Sequence, residues 1–90
     1  MFLKVSRSGG FAGLQTSGEL DTSGEPDAEV LEAVAVRLTE QPPGTGQPQP
    51  DRYVYRLELT AGERVTAVVL AEQDLDQDAA WLLERVLTQE

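Results

Sequence analysis

The chain has 90 residues, a net charge of −9 from 16 acidic and 7 basic side chains, and neither cysteine nor histidine. That length suits one domain, and the composition excludes disulfides, thiol nucleophiles, a Ser-His-Asp triad and zinc sites built on His or Cys. The negative field repels nucleic acid and anionic lipid, and no apolar run approaches the ~18–20 residues of a membrane-spanning helix, so neither is an expected partner.

Phe2 to Ser6 alternates Leu3 and Val5 with Lys4 and Ser6, which predicts a strand. Arg7-Ser8-Gly9-Gly10-Phe11-Ala12-Gly13 follows, and its glycines mark a turn. Leu14 to Leu20 sets Leu14, Thr16, Gly18 and Leu20 on one face, predicting a second strand paired with the first across the glycine loop. Gly18 within it marks a bulge. Asp21 to Glu25 has loop composition. Pro26 suits a first helical position, and Asp27 and Glu29 suit the positive end of a helix dipole. Val30, Leu31, Val34 and Leu38 then carry helical spacing, predicting an amphipathic helix from Pro26 to Thr39.

Gln41 to Asp51 is rich in proline and glycine and predicts an exposed loop, because neither flank is large enough to fold alone. Arg52 to Thr60 alternates, with Tyr53, Tyr55, Leu57 and Leu59 on one face. Ala61-Gly62-Glu63 predicts a tight hairpin turn. Arg64 to Ala71 is apolar on both faces, which predicts a central, doubly buried strand. Asp74 with Gln77 forms a capping-box pattern, and Ala79, Leu82, Leu83, Val86 and Leu87 predict a second helix. The order is ββαββα. The fold class is α+β: one domain over residues 1–90, a mostly antiparallel four-stranded sheet, and two helices packed on one face. The two ββα halves share little residue by residue.

Chemistry is sparsely marked. Many carboxylates are present, but nothing selects a pair for acid–base work, so catalysis is not expected. Asp74-Leu75-Asp76-Gln77-Asp78 begins like a calcium loop, yet Ala79 and Arg85 stand where that loop needs Gly and Glu. Helix capping explains these carboxylates better. The glycine block lacks a phosphate-binding pattern, and the chain's single lysine, Lys4, precedes it. No cofactor and no metal are expected. The acidic surface serves solubility, or a basic partner. The opening residues show no signal-peptide pattern, so a cytoplasmic location is expected.

A bulky apolar residue between glycines at a hairpin tip either folds back on the core or contacts a partner. At this block the chain resembles the emfourin family, small protein inhibitors of thermolysin-like (protealysin-type) metalloproteases. The resemblance starts at the N-terminal strand running into Arg7-Ser8-Gly9-Gly10-Phe11-Ala12-Gly13. Asp51-Arg52-Tyr53-Val54-Tyr55-Arg56-Leu57 resembles the family's third strand, and the last strand and helix match in order. Leu14-Gln15-Thr16 stand where the family often has basic residues.

The resemblance implies a thermolysin-like metalloprotease as partner, a monomer when free, and tight binding over the protease's active-site cleft. Within that reading the expected protease contacts are Arg7, Ser8, Gly9, Gly10, Phe11, Ala12 and Gly13. Thermolysin-like proteases favour a bulky apolar residue just after the scissile bond, so Phe11 on its narrow glycine-flanked segment is expected at or near that pocket, with the Pro42 to Pro50 loop as an expected second arm. Steric occlusion is the implied mechanism. The alternative is an adaptor that uses an edge strand or an apolar helix face without blocking cleavage.

Overall fold

Alternation, turn chemistry and helical periodicity build the scaffold seen in the computed structural model, which describes residues 1–9, 15–41 and 53–88. Four strands form one antiparallel sheet: β1 (Phe2–Gly9), β2 (Thr16–Asp21), β3 (Tyr53–Ala61) and β4 (Arg64–Ala71), in the order β2-β1-β3-β4. Helices α1 (Ala28–Glu40) and α2 (Gln77–Leu87) follow the two hairpins, giving ββαββα. Leu3, Val5, Leu20, Tyr55, Leu57, Leu59 and Leu70 project from one sheet face. They meet Leu31, Val34, Ala35 and Leu38 of α1 and Ala79, Leu82, Leu83 and Val86 of α2. The strand period of two and the helix period of 3.6 therefore deliver one continuous core.

β4 is an edge strand, not the central one its composition suggests. Thr66, Val68 and Leu70 share register with core residues of β3, whereas Val65 and Val69 lie on the opposite face, 59% and 49% exposed. A run of β-branched residues signals β propensity; it does not by itself signal two buried faces. The centre belongs to β1 and β3, which pair with each other from Phe2–Thr60 to Gly9–Tyr53. That second ladder extends β1 through Arg7 and Ser8 to Gly9, beyond the expected end at Ser6.

Gly18 makes no bulge: the β1–β2 register passes through the Val5–Gly18 pair without interruption. The glycine is needed because the end of α2 lies against it. A Cβ there would overlap the Val86 carbonyl oxygen and stand 2.8 Å from Leu87 Cα. Gly62 opens the β3–β4 turn with φ +63°, a conformation that favours glycine at the first central position of a tight hairpin.

Both helices begin later than their sequence signals. Asp27 is the N-cap of α1, and Pro26 stays outside the helix. α2 is capped by Asp76, whose Oδ1 accepts the Ala79 N–H at 2.8 Å; Glu72–Asp74 forms a 3₁₀ turn that carries the chain out of β4 first. The expected Pro-rich loop falls mainly on residues 42–52, outside the described residues.

The halves repeat as strand, strand, 3₁₀ turn, helix. α1 packs on β3 and β4, whereas α2 packs on β1 and β2, so each helix covers the hairpin of the other half. At one constant offset Leu31, Val34, Ala35, Arg37 and Leu38 align with Ala79, Leu82, Leu83, Arg85 and Val86. The buried pattern repeats although the residue identities differ, arginine excepted.

Candidate protein-interaction site

The glycine block begins within the last three residues of β1. The last β1–β2 pair is Arg7–Thr16, so both strands reach the block in fixed register. On the other side β1 stays paired with β3 to Ser8–Val54 and Gly9–Tyr53. Three of the residues assigned to protease contact are thus strand residues: Arg7, Ser8 and Gly9. Gly10, Phe11, Ala12 and Gly13 lie outside the described residues.

Arg7 follows Leu3 and Val5 in strand alternation, which puts its side chain on the helix side of the sheet. There its guanidinium carbon stands 4.7 Å from the Tyr53 ring centroid, and Nη1 donates to Glu84 Oε1 of α2 at 3.3 Å. The side chain is only 26% exposed. The long ion pair contributes little by itself. The aromatic contact adds to it, because the flat cation lies against the electron-rich ring. Together they tie the end of β1 to β3 and α2.

Tyr53 is anchored in turn by its backbone. Its N–H donates to Glu72 Oε1 at 3.0 Å, linking the start of β3 to the 3₁₀ turn after β4. Gly9, opposite Tyr53, has φ +97°, where a side chain would be strained. Ser8 is exposed on the opposite face from Arg7. The base of the block therefore has one buried-side anchor, one outward hydroxyl and one glycine-only backbone.

Strand alternation puts Tyr53 on one face with Tyr55, Leu57 and Leu59 but does not link it with Arg7, and nothing in the sequence gives Glu72 or Glu84 a role. The signal lay in parity: once β1 runs to Gly9, Arg7 falls on the core face and needs a partner there. Two other arginines hold the helix layer. Arg85 donates to Asp27 and Glu25, and Arg37 donates to Asp76. The Arg85 guanidinium holds the Asp27 carboxyl below its ordinary pKa, and Arg37, with the Ala79 N–H second, does the same to Asp76. The Ser23 hydroxyl and then the Ser23 N–H lower Asp21. Among the described residues no Asp and Glu side chains gather as a metal-holding group, and no helix is long and apolar enough to cross a membrane.

The family model described as Emfourin matches residues 5–87. That span takes in the glycine block, all of α1, β3, β4 and α2, and all but the first residues of β1. No curated protein and no solved structure gives a significant match.

Proposed function

The chain belongs to the emfourin family, and on that footing we propose that it inhibits thermolysin-like zinc metalloproteases by occluding their active-site cleft. Membership itself implies a protease-inhibitor role and a protease partner. The target class and the contact residues go beyond membership and belong to the proposal. Arg7, Ser8, Gly9, Gly10, Phe11, Ala12 and Gly13 form the contact block, with Phe11 directed to an apolar pocket of the protease.

One observation carries the reading: β1 and β2 lead into the glycines in fixed register at Arg7–Thr16, and β1 is held on its other side by β3 through Gly9 and by the Arg7 side chain. A loop with fixed ends loses less conformational entropy on binding than a free peptide. Fixed ends also oppose the backbone distortion that cleavage demands, so the inhibitor is not consumed like a substrate. No residue of this mechanism supplies a covalent or metal bond. Exclusion of substrate is sufficient.

The test is a titration of a thermolysin-like protease with the purified chain, with a trypsin-like serine protease as control. The expected result is loss of peptide cleavage at near-equal molar ratio for the metalloprotease alone. An adaptor, the second reading, would use the exposed valines of the β4 edge. It predicts association that leaves cleavage intact.

A further inference from the structure

α1 and α2 bury one flank each in the core and leave another flank facing solvent across a shared groove. The groove measures about 460 Å³ and is lined by Val30, Val34, Gln77, Asp78 and Trp81. Val34 is buried and forms its floor, while Val30 is 55% and Trp81 38% exposed. Both sit off the helical stripe that packs on the sheet, so the core does not require them to be apolar. An exposed tryptophan beside an exposed valine in a concave site is the composition of a binding surface.

Charge identifies the kind of occupant. Asp78 stands on the wall and exposed Glu29 is next to Val30 in α1. The arginines of the helix layer are outnumbered by carboxylates: Arg37 bonds Asp76 and also feels the charge of Asp78, and Arg85 bonds both Asp27 and Glu25. These inter-helix ion pairs join the opposite ends of the two helices, with the groove between them. A chain of net charge −9 draws cationic segments toward such a wall. An acidic ligand meets repulsion there.

We propose that this inter-helix groove is a second docking site, separate from the glycine block, for a short amphipathic segment that lays an apolar face on Val30, Val34 and Trp81 and a lysine or arginine beside Asp78. The same chemistry on Trp81 favours a cation over the indole face.

Trp81 is the chain's only tryptophan, so its emission reports the site directly. The probe is an amphipathic Lys/Leu peptide of a few helical turns, compared with a Glu/Leu peptide of the same leucine pattern. A saturable blue shift is expected with the Lys/Leu peptide only, weakening as salt is raised. Val30→Gln, at a solvent-exposed position, is expected to weaken binding about tenfold, as for loss of an apolar interface contact. Asp78→Asn is expected to weaken it and reduce its salt dependence. Both variants should inhibit a thermolysin-like protease as the parent chain does. Unchanged Trp81 emission at peptide excess overturns the proposal, as does equal binding of the Glu/Leu peptide or full binding by Val30→Gln. Loss of inhibition in Val30→Gln would merge the groove with the protease interface and overturn its separateness.

Discussion

Arg85, in the last turn of α2, grips Asp27, the N-cap of α1, with Nη1–Oδ2 and Nη2–Oδ1 distances of 2.9 and 3.1 Å. Arg37, in the last turn of α1, returns the contact to Asp76, the N-cap of α2, at 3.0 and 3.3 Å. Each helix thus anchors the start of the other with a forked, two-bond pair. Each arginine also lies at the negative end of its own helix dipole, and each aspartate at the positive end. The helices pack on opposite hairpins, so these contacts join the two halves of the chain in the helix layer, as the β1–β3 ladder joins them in the sheet.

Stability should therefore fall in acid, below the ordinary carboxylate range. Arg85 and Arg37 lower the folded-state pKa of Asp27 and Asp76, and Ser23 lowers that of Asp21. A carboxyl with a depressed folded pKa contributes stability above its ordinary unfolded pKa, and that contribution is lost as pH falls through the folded value. The expected profile is flat near neutrality and descends from the ordinary carboxylate range downward. Thermal unfolding followed from neutral pH into acid measures it. The Asp27→Asn/Asp76→Asn double variant keeps an N-cap-competent side chain at Asp76 but should show a shallower descent. An identical descent in both proteins rejects the reciprocal pairs as its source.

Much of this architecture was legible in the sequence, because it follows from local periodicity. Leu3 and Val5, Tyr55 to Leu59, and Leu82 to Val86 announce their elements and their inward faces. Strand order was less legible: Val65 and Val69 carry the β-branched signature of a buried strand, yet only the pairing of β1 with β3 decides which strand is central. Gly18 looks like a local irregularity in the sequence, whereas its cause is the distant end of α2. The caps moved for a similar reason. Asp74 and Pro26 satisfy the local rules, but the 3₁₀ turn at Glu72–Asp74 and the Arg85–Asp27 contact set the helix starts at Gln77 and Ala28. At the candidate site the block Arg7 to Gly13 was visible as composition. The anchor of Arg7 on Tyr53 and Glu84 was not, since those partners lie far along the chain and become neighbours only through the sheet.

Gly18→Ala tests the contact between β2 and α2. The added methyl meets backbone atoms of Val86 and Leu87, which cannot rotate away. The expected cost is about 1–3 kcal/mol, as for overpacking. In a domain of this size each kcal/mol lowers the melting temperature by roughly 4–8 °C. Gly24→Ala is the matched control, because among the described residues nothing beyond its own chain neighbours lies within 4 Å of its added Cβ. Equal melting temperatures for the two variants would show that α2 does not press on Gly18.

Thr22→Val tests the polar contact beneath the first 3₁₀ turn. Thr22 is fully buried, and its hydroxyl donates to Glu32 Oε2 at 2.6 Å. The Met1 carbonyl, 3.0 Å from that hydroxyl, already accepts the Thr22 N–H at 2.9 Å. Valine preserves the shape and deletes the donor, leaving the half-buried Glu32 carboxylate short of a partner. A loss of about 1–3 kcal/mol is expected in urea unfolding. A midpoint equal to that of the parent chain would mean that solvent replaces the hydroxyl at no cost.

Inhibition separates the roles of Phe11 and Arg7. Phe11→Ala is expected to melt like the parent chain and to raise the inhibition constant against a thermolysin-like protease at least about tenfold, the effect of losing an aromatic anchor. Arg7→Lys retains a charge near Glu84 but loses the flat guanidinium lying against Tyr53. It should weaken inhibition less than Phe11→Ala does, because it loosens the frame of the block without removing the contact. Tyr53→Leu removes the ring from the other side of the same contact, so combining it with Arg7→Lys should add little beyond either change alone. Undiminished inhibition by a folded Phe11→Ala protein eliminates the pocket-filling role of Phe11, and full additivity in the double variant eliminates the Arg7–Tyr53 contact as the support of the block.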